Sequence, residues 1–153
     1  MRKPSASALG GALTLCVTIG MGTAARAQQS PAPVRLDPDK IAGLGLTAIP
    51  PDAYQEILVG GELNMRVATL FEGKELRVSI FESTPAKTDH RTRATDVDEF
   101  VYVLSGKLIL TEPSGTRHEY VPGDSLVLPV GYTGTWEMQG NYRELVVLMQ
   151  KGD

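Results

Sequence analysis

The sequence predicts an all-β domain, an antiparallel barrel preceded by a short helical or irregular segment. From about Met65 onward the chain breaks into short runs rich in β-branched and aromatic residues, each closed by glycine, proline or charged turn residues. No run of helical period separates these runs, so neighbouring strands are joined by turns, which favours an antiparallel barrel or sandwich over a parallel sheet. The length of 153 residues suits one such domain behind a leader.

Taken in chain order, Arg2 and Lys3 are followed by an apolar stretch from about Ala8 to Thr23 and then by Ala25-Arg26-Ala27. That order is the pattern of a secretory signal with a small-x-small cleavage site, so residues 1–27 are expected to be removed and Gln28 to become the N-terminus. An uncleaved anchor is the competing reading, but Gly10, Gly11, Gly20 and Gly22 interrupt a stretch already short for a bilayer. A lipidated Cys16 would need a small residue where Leu15 stands. The expected location is periplasmic or secreted. Cleavage removes Cys16, the one cysteine, so the mature chain has no disulfide, thiol nucleophile or thiolate ligand. It also removes Arg2, Lys3 and Arg26 with no acid, taking the formal charge from −3 to −6. An acidic domain with no basic run has no electrostatic footprint for nucleic acid or anionic lipid, so neither nucleic acid nor, after cleavage, membrane is expected as a partner.

Residues 28–35, beginning Gln28-Gln29-Ser30-Pro31, read as a flexible linker. Residues 36–64 form a segment expected to pack on the barrel, because Ile41, Leu44, Leu46, Ile57 and Leu58 must bury somewhere; exchange with a partner subunit is the alternative. Within it Asp37-Pro38 has the form of an N-cap and first helical proline, which predicts a short helix from Pro38 to about Leu46. Residues 65–153 supply the barrel. The strands expected are 65–71, 76–82, 99–104, 107–111, 117–121, 125–128, 135–138 and 144–149. Leu104-Ser105-Gly106-Lys107 reads as a tight hairpin, Glu112-Pro113-Ser114-Gly115 as a second turn and Val121-Pro122-Gly123-Asp124 as a third.

Asp98 to Gly106 (DEFVYVLSG), Pro122-Gly123-Asp124, Leu128-Pro129-Val130-Gly131 and Gly134-Thr135-Trp136-Glu137 occur in that order. In order and spacing the series resembles the cupin superfamily, and within it the cupin domain of ureidoglycine aminohydrolase and the ethanolamine-utilisation cupins. The resemblance runs from about Leu76 to Met149. It implies a single cupin (jelly-roll) β-barrel and a homodimer. In metal-binding cupins the same motifs carry three histidines and a glutamate. Here the glutamate is Glu99, but the first two histidine slots fall on Arg93 and Thr95, or on Thr92 and Ala94 with the longer spacing, and the third falls on Gly134. One carboxylate does not hold a transition metal, so neither metal nor other cofactor is expected.

His90 and His118 are the two histidines. Strand parity counted back from Glu99 turns His90 away from the pocket, and His118 stands between the charged Arg117 and Glu119, so both read as surface groups. Glu99 has two readings. It is a general acid or base, or a hydrogen-bond acceptor, inside the barrel; or it forms an ion pair with Arg91 or Arg93 that holds the mouth in register. Trp136 either fills the core or floors a pocket beside the space left by Gly134. Phe100 and Tyr102 have the opposite parity to Glu99 and belong to the outer or dimer face.

The expected ligand site is therefore Arg93, Thr95, Glu99, Gly134 and Trp136, with Glu99 as the candidate catalytic residue. Three functions fit: a metal-free barrel holding a small polar or anionic ligand, an enzyme of aminohydrolase, lyase or isomerase type using Glu99, or a structural or accessory domain of an assembly. The scarcity of catalytic groups favours the first.

Overall fold

The computed structural model describes residues 32–149, and the expected leader and the first half of the linker lie outside them. The first element is a single helical turn, α1 (Pro38–Ile41), capped by Asp37, whose Oδ1 accepts from the Asp39 N–H at 3.0 Å. It is shorter than the sequence suggests. The chain enters the left-handed region at Gly43 (φ 91°), and the Leu44 N–H closes back on the Asp39 carbonyl at 2.9 Å, so helical bonding ends there.

Nine strands follow among the described residues: β1 (Thr47–Ala48), β2 (Leu58–Gly61), β3 (Met65–Glu72), β4 (Leu76–Ser83), β5 (Ala86–Asp89), β6 (Glu99–Thr111), β7 (Arg117–Tyr120), β8 (Ser125–Leu128) and β9 (Thr135–Met149). All pairings are antiparallel. Two long strands, β6 and β9, run side by side and cross from one wall of the barrel to the other. The first part of β6 lies between β8 and the end of β9, which pairs in turn with β4. Its second part lies between β7 and the start of β9, which pairs with β5. One wall is thus β1–β3–β4–β9–β6–β8 and the other β2–β5–β9–β6–β7, the arrangement of a jelly roll.

The hairpin expected at Leu104–Lys107 does not form. β6 continues through it, with register shifts against β9 on either side of Ser105, and Gly106 (φ 73°) provides the bend where the strand changes walls. The strands expected at 99–104 and 107–111 are accordingly one, as are those at 135–138 and 144–149. The other two turns form as expected: the Gly115 N–H donates to the Glu112 carbonyl and the Asp124 N–H to the Val121 carbonyl, each at 2.9 Å.

The interior is filled by Val101, Val103, Leu108, Leu110, Leu128 and Val146, joined by Tyr54, Ile57 and Leu63 from the N-terminal segment. A second cluster lies on the outer side of the β3–β4 wall, where Leu46 packs with Ala68 and Ile80 and is flanked by Ile41 and Leu145. Beyond it the same outer face carries exposed Phe100, Tyr102, Val127 and Met149.

Candidate functional site in the barrel

Inner-face alternation along β6 leaves Val101 and Val103 fully buried and brings Glu99, with the same parity, to the barrel mouth. There it lines a cavity of about 330 Å³ with Tyr54, Met65, Phe81, His90, Asp96 and Trp136. A smaller chamber of about 90 Å³ adjoins it, sharing Ile57, Met65, Phe81, His90 and Trp136 and lined on its inner side by Ser83, Thr88, Tyr142 and Glu144. The structure thus brings Glu99 and Trp136 to one cavity.

The Glu99 carboxyl makes no hydrogen bond or ion pair among the described residues. Arg91 is paired with Asp89, and Arg93 reaches Glu56 at 3.1 Å across the rim, so neither forms the ion pair considered for Glu99. Burial pushes the Glu99 carboxyl up to about 7, with the charge of Asp96 adding to the shift.

The remaining expected residues are placed differently. Arg93 and Thr95 line the cavity, but their polar atoms are engaged elsewhere. The Thr95 hydroxyl donates to the Pro129 carbonyl at 2.8 Å and accepts from the Tyr132 N–H at 3.0 Å, fastening one mouth loop to the other. Gly134 leaves no room beside the indole. A Cβ there would lie 2.5 Å from the Thr111 carbonyl oxygen and 3.0 Å from the Tyr132 hydroxyl, so its lack of a side chain serves strand packing.

His90 is a correction. Parity cannot be counted back from Glu99, because residues 90–98 form a loop. Counted forward along β5, Ala86 and Thr88 are buried and His90 follows them inward. Its ring centre lies 4.9 Å from that of Trp136, its Nε2 is 3.0 Å from Thr88 Oγ1, and its N–H donates to the Gly134 carbonyl at 2.7 Å. Burial, and then the Arg93 charge, lower its pKa. His118 is exposed and lies 2.7 Å from Glu112.

Glu144 is the group that sequence reading missed. It is buried, accepts a hydrogen bond from the Tyr142 hydroxyl, and lines the inner chamber. Burial raises its carboxyl to about 7 against the lowering effect of that hydrogen bond, with the charge of Glu99 adding to the rise. The signal was available: Tyr142, Glu144, Val146 and Leu148 share one strand parity, which puts a carboxyl among core residues.

A family model described as the EutQ-like cupin domain matches residues 71–144, the stretch that holds β4 to β8, the first ten residues of β9, and Glu99. The fold is that of a single cupin jelly-roll domain. Solved structures agree on the fold of this cupin. A protein of unknown function from Pseudomonas syringae pv. tomato is similar with a TM-score of 0.60 at 24% identity, over 68% of this chain and 44% of its own length. The EutQ protein of Clostridium difficile gives 0.55 at 16%, over 72% of this chain and 83% of its own. The polyketide cyclase RemF of Streptomyces resistomycificus gives 0.50 at 21%, over 70% and 75%. The chain thus spans less than half the length of the first of these. No curated protein matches it in sequence.

The metal site of metal-binding cupins does not fit this one. Where those cupins place histidines, this cupin has a guanidinium tied to Glu56, a hydroxyl tied to Pro129 and a glycine packed on Thr111. Among the described residues no three His, Cys, Asp or Glu side chains converge on a point.

Proposed function

We propose that this cupin binds a small polar ligand in its barrel without a resident metal, and that Glu99 is the group the ligand meets. The observation carrying the reading is an unpartnered carboxyl at the wall of an apolar, aromatic cavity. A half-buried carboxyl that no protein group satisfies has desolvation to recover from a ligand that donates to it. In a thermal-shift panel of ureides, amino acids, sugars, amines and small carboxylates, at least one compound should stabilise the wild type, with EDTA present or absent. Glu99→Gln should keep the fold and lose about tenfold in that affinity, the value of one charged hydrogen bond. If nothing in the panel stabilises the wild type and Glu99→Gln melts early, the carboxyl is structural and the reading fails.

A second reading is favoured by the raised pKa of Glu99. A carboxyl divided between its two forms near neutral pH suits general acid–base catalysis, as in the aminohydrolase, lyase and isomerase reactions that cupins host. Product formation with any panel compound, abolished in Glu99→Gln, would select it.

The basic, apolar and small-residue order of residues 1–27 supports export to the periplasm or beyond, and no helix among the described residues is long and apolar enough to cross a membrane. The exposed Phe100, Tyr102, Val127 and Met149 on one sheet face support a homodimer formed through that face. Protein recovered from the exported fraction should begin at Gln28 and elute as a dimer at tens of micromolar, while Phe100→Glu elutes as a folded monomer. A wild-type monomer at that concentration would count against the dimer.

A further inference from the structure

The charges that face the barrel are unbalanced. Glu99 and Asp96 line the outer cavity and Glu144 the inner chamber. Glu82 also borders the chamber, but Arg143 and Arg66 neutralise it. Arg93, the one guanidinium bordering the outer cavity, is bound to Glu56, and burial disfavours the charged form of His90. Glu99, Asp96 and Glu144 are therefore the lining carboxyls without a cationic partner among the described residues; Asp96 is exposed at the rim, which leaves Glu99 and Glu144 as the two inside the barrel.

The walls between them are aromatic. Trp136 and Phe81 border both spaces and Tyr54 the outer one. Ring faces attract a cation that has left bulk water and give no such return to an anion. A separate observation points the same way. Ser83 is 7% exposed, lines the inner chamber, and its hydroxyl has no hydrogen-bond partner. A buried hydroxyl without a partner carries a cost that a donor entering the chamber would remove.

We propose that the barrel takes a small organic ammonium ion, its charged nitrogen held at the junction of the two spaces between Glu99 and Glu144 and its apolar body laid against Tyr54, Phe81 and Trp136. The N–H groups of the ammonium meet two carboxylates and the Ser83 hydroxyl. An anionic ligand would instead face two carboxylates, with the nearest guanidinium already engaged. The inference rests on the reading of the barrel as a ligand site and names the ligand class.

Trp136 is the sole tryptophan, so its emission reports occupancy directly. The test titrates full-length mature protein at pH 8 with benzylammonium, benzyl alcohol and benzoate, which share a ring and differ in charge. Benzylammonium should quench or shift the emission with an affinity at least tenfold above benzyl alcohol, and benzoate should not bind. Glu99→Gln and Glu144→Gln should each lose about tenfold for benzylammonium while melting no lower than wild type. Arg93→Ala should tighten benzylammonium a few-fold by removing a like charge from the rim. Benzyl alcohol or benzoate binding as tightly as benzylammonium would overturn the ammonium assignment and leave the ligand site standing. No response to any of the three, in a protein that the wider panel does stabilise, would overturn it as well. Silence in both experiments would remove the site itself.

Discussion

Gly106→Ala is expected to cost about 2–5 kcal/mol, a large fraction of the stability of a domain this size. Two costs add. Gly106 has φ 73°, where an L-residue is strained by about 1–2 kcal/mol. Its added Cβ would also lie 2.7 Å from the Gln139 carbonyl oxygen and the Tyr142 Cα, and 2.9 Å from the Tyr142 N. All of these are backbone atoms of β9, so relief requires moving one of the two strands that hold the walls together, at about 1–3 kcal/mol for overpacking. Gly140 is the control. Its φ is 68°, yet the nearest atom to its would-be Cβ is the Gly106 Cα at an ordinary 3.7 Å, so Gly140→Ala should show only the strain of about 1–2 kcal/mol. Denaturant melts followed by circular dichroism compare the two. Equal losses would mean that the close approach at the bend carries no energy.

Gly106 also shows where sequence reading stops. A positive-φ glycine after an apolar strand serves a hairpin or a bend equally well, and the choice is made by β9, whose backbone lies against it from more than thirty residues away. The first part of β6 is legible because its strong inward alternation leaves one buried face that fixes its parity. β5 is not, since Ala86-Lys87-Thr88-Asp89 is short, polar and preceded by proline, and it becomes a strand only because β2 and β9 flank it. The same omission misplaced His90: without β5 there was no inward row of Ala86 and Thr88 for the histidine to continue. At the site, Glu99 was legible from motif and parity. Arg93 and Thr95 do line the cavity, but their partners, Glu56 and Pro129, belong to distant segments and could not be read from the sequence.

The buried carboxyls should make this protein markedly less stable at pH 8 than at pH 5. Glu99 and Glu144 both have folded-state pKa values of about 7 against an ordinary 4.5. Below about 4.5 both are protonated whether the chain is folded or not, and they contribute no pH dependence. Between 4.5 and 7 the unfolded chain has released protons that the folded one retains, so stability falls as pH rises and levels off above about 7. For Glu144 the full gap corresponds to about 3 kcal/mol, and for Glu99, near enough to the mouth for water to screen it, to about half that. His90 opposes this trend. Its lowered pKa makes folding less favourable as pH falls below 6.5, but one histidine does not offset two carboxyls. The other groups around Glu144 are Tyr142, whose hydroxyl stays protonated throughout this range, and Glu99 itself. Glu144→Gln keeps an oxygen to accept the Tyr142 hydrogen bond and removes the ionisation, so it should melt close to wild type at pH 5 and several degrees higher at pH 8. Melting curves of both proteins from pH 5 to 9 read the difference directly. If Glu144→Gln is the less stable protein at pH 8, the ionised carboxylate is stabilised by its surroundings, and the assignment of a raised pKa to this residue is wrong.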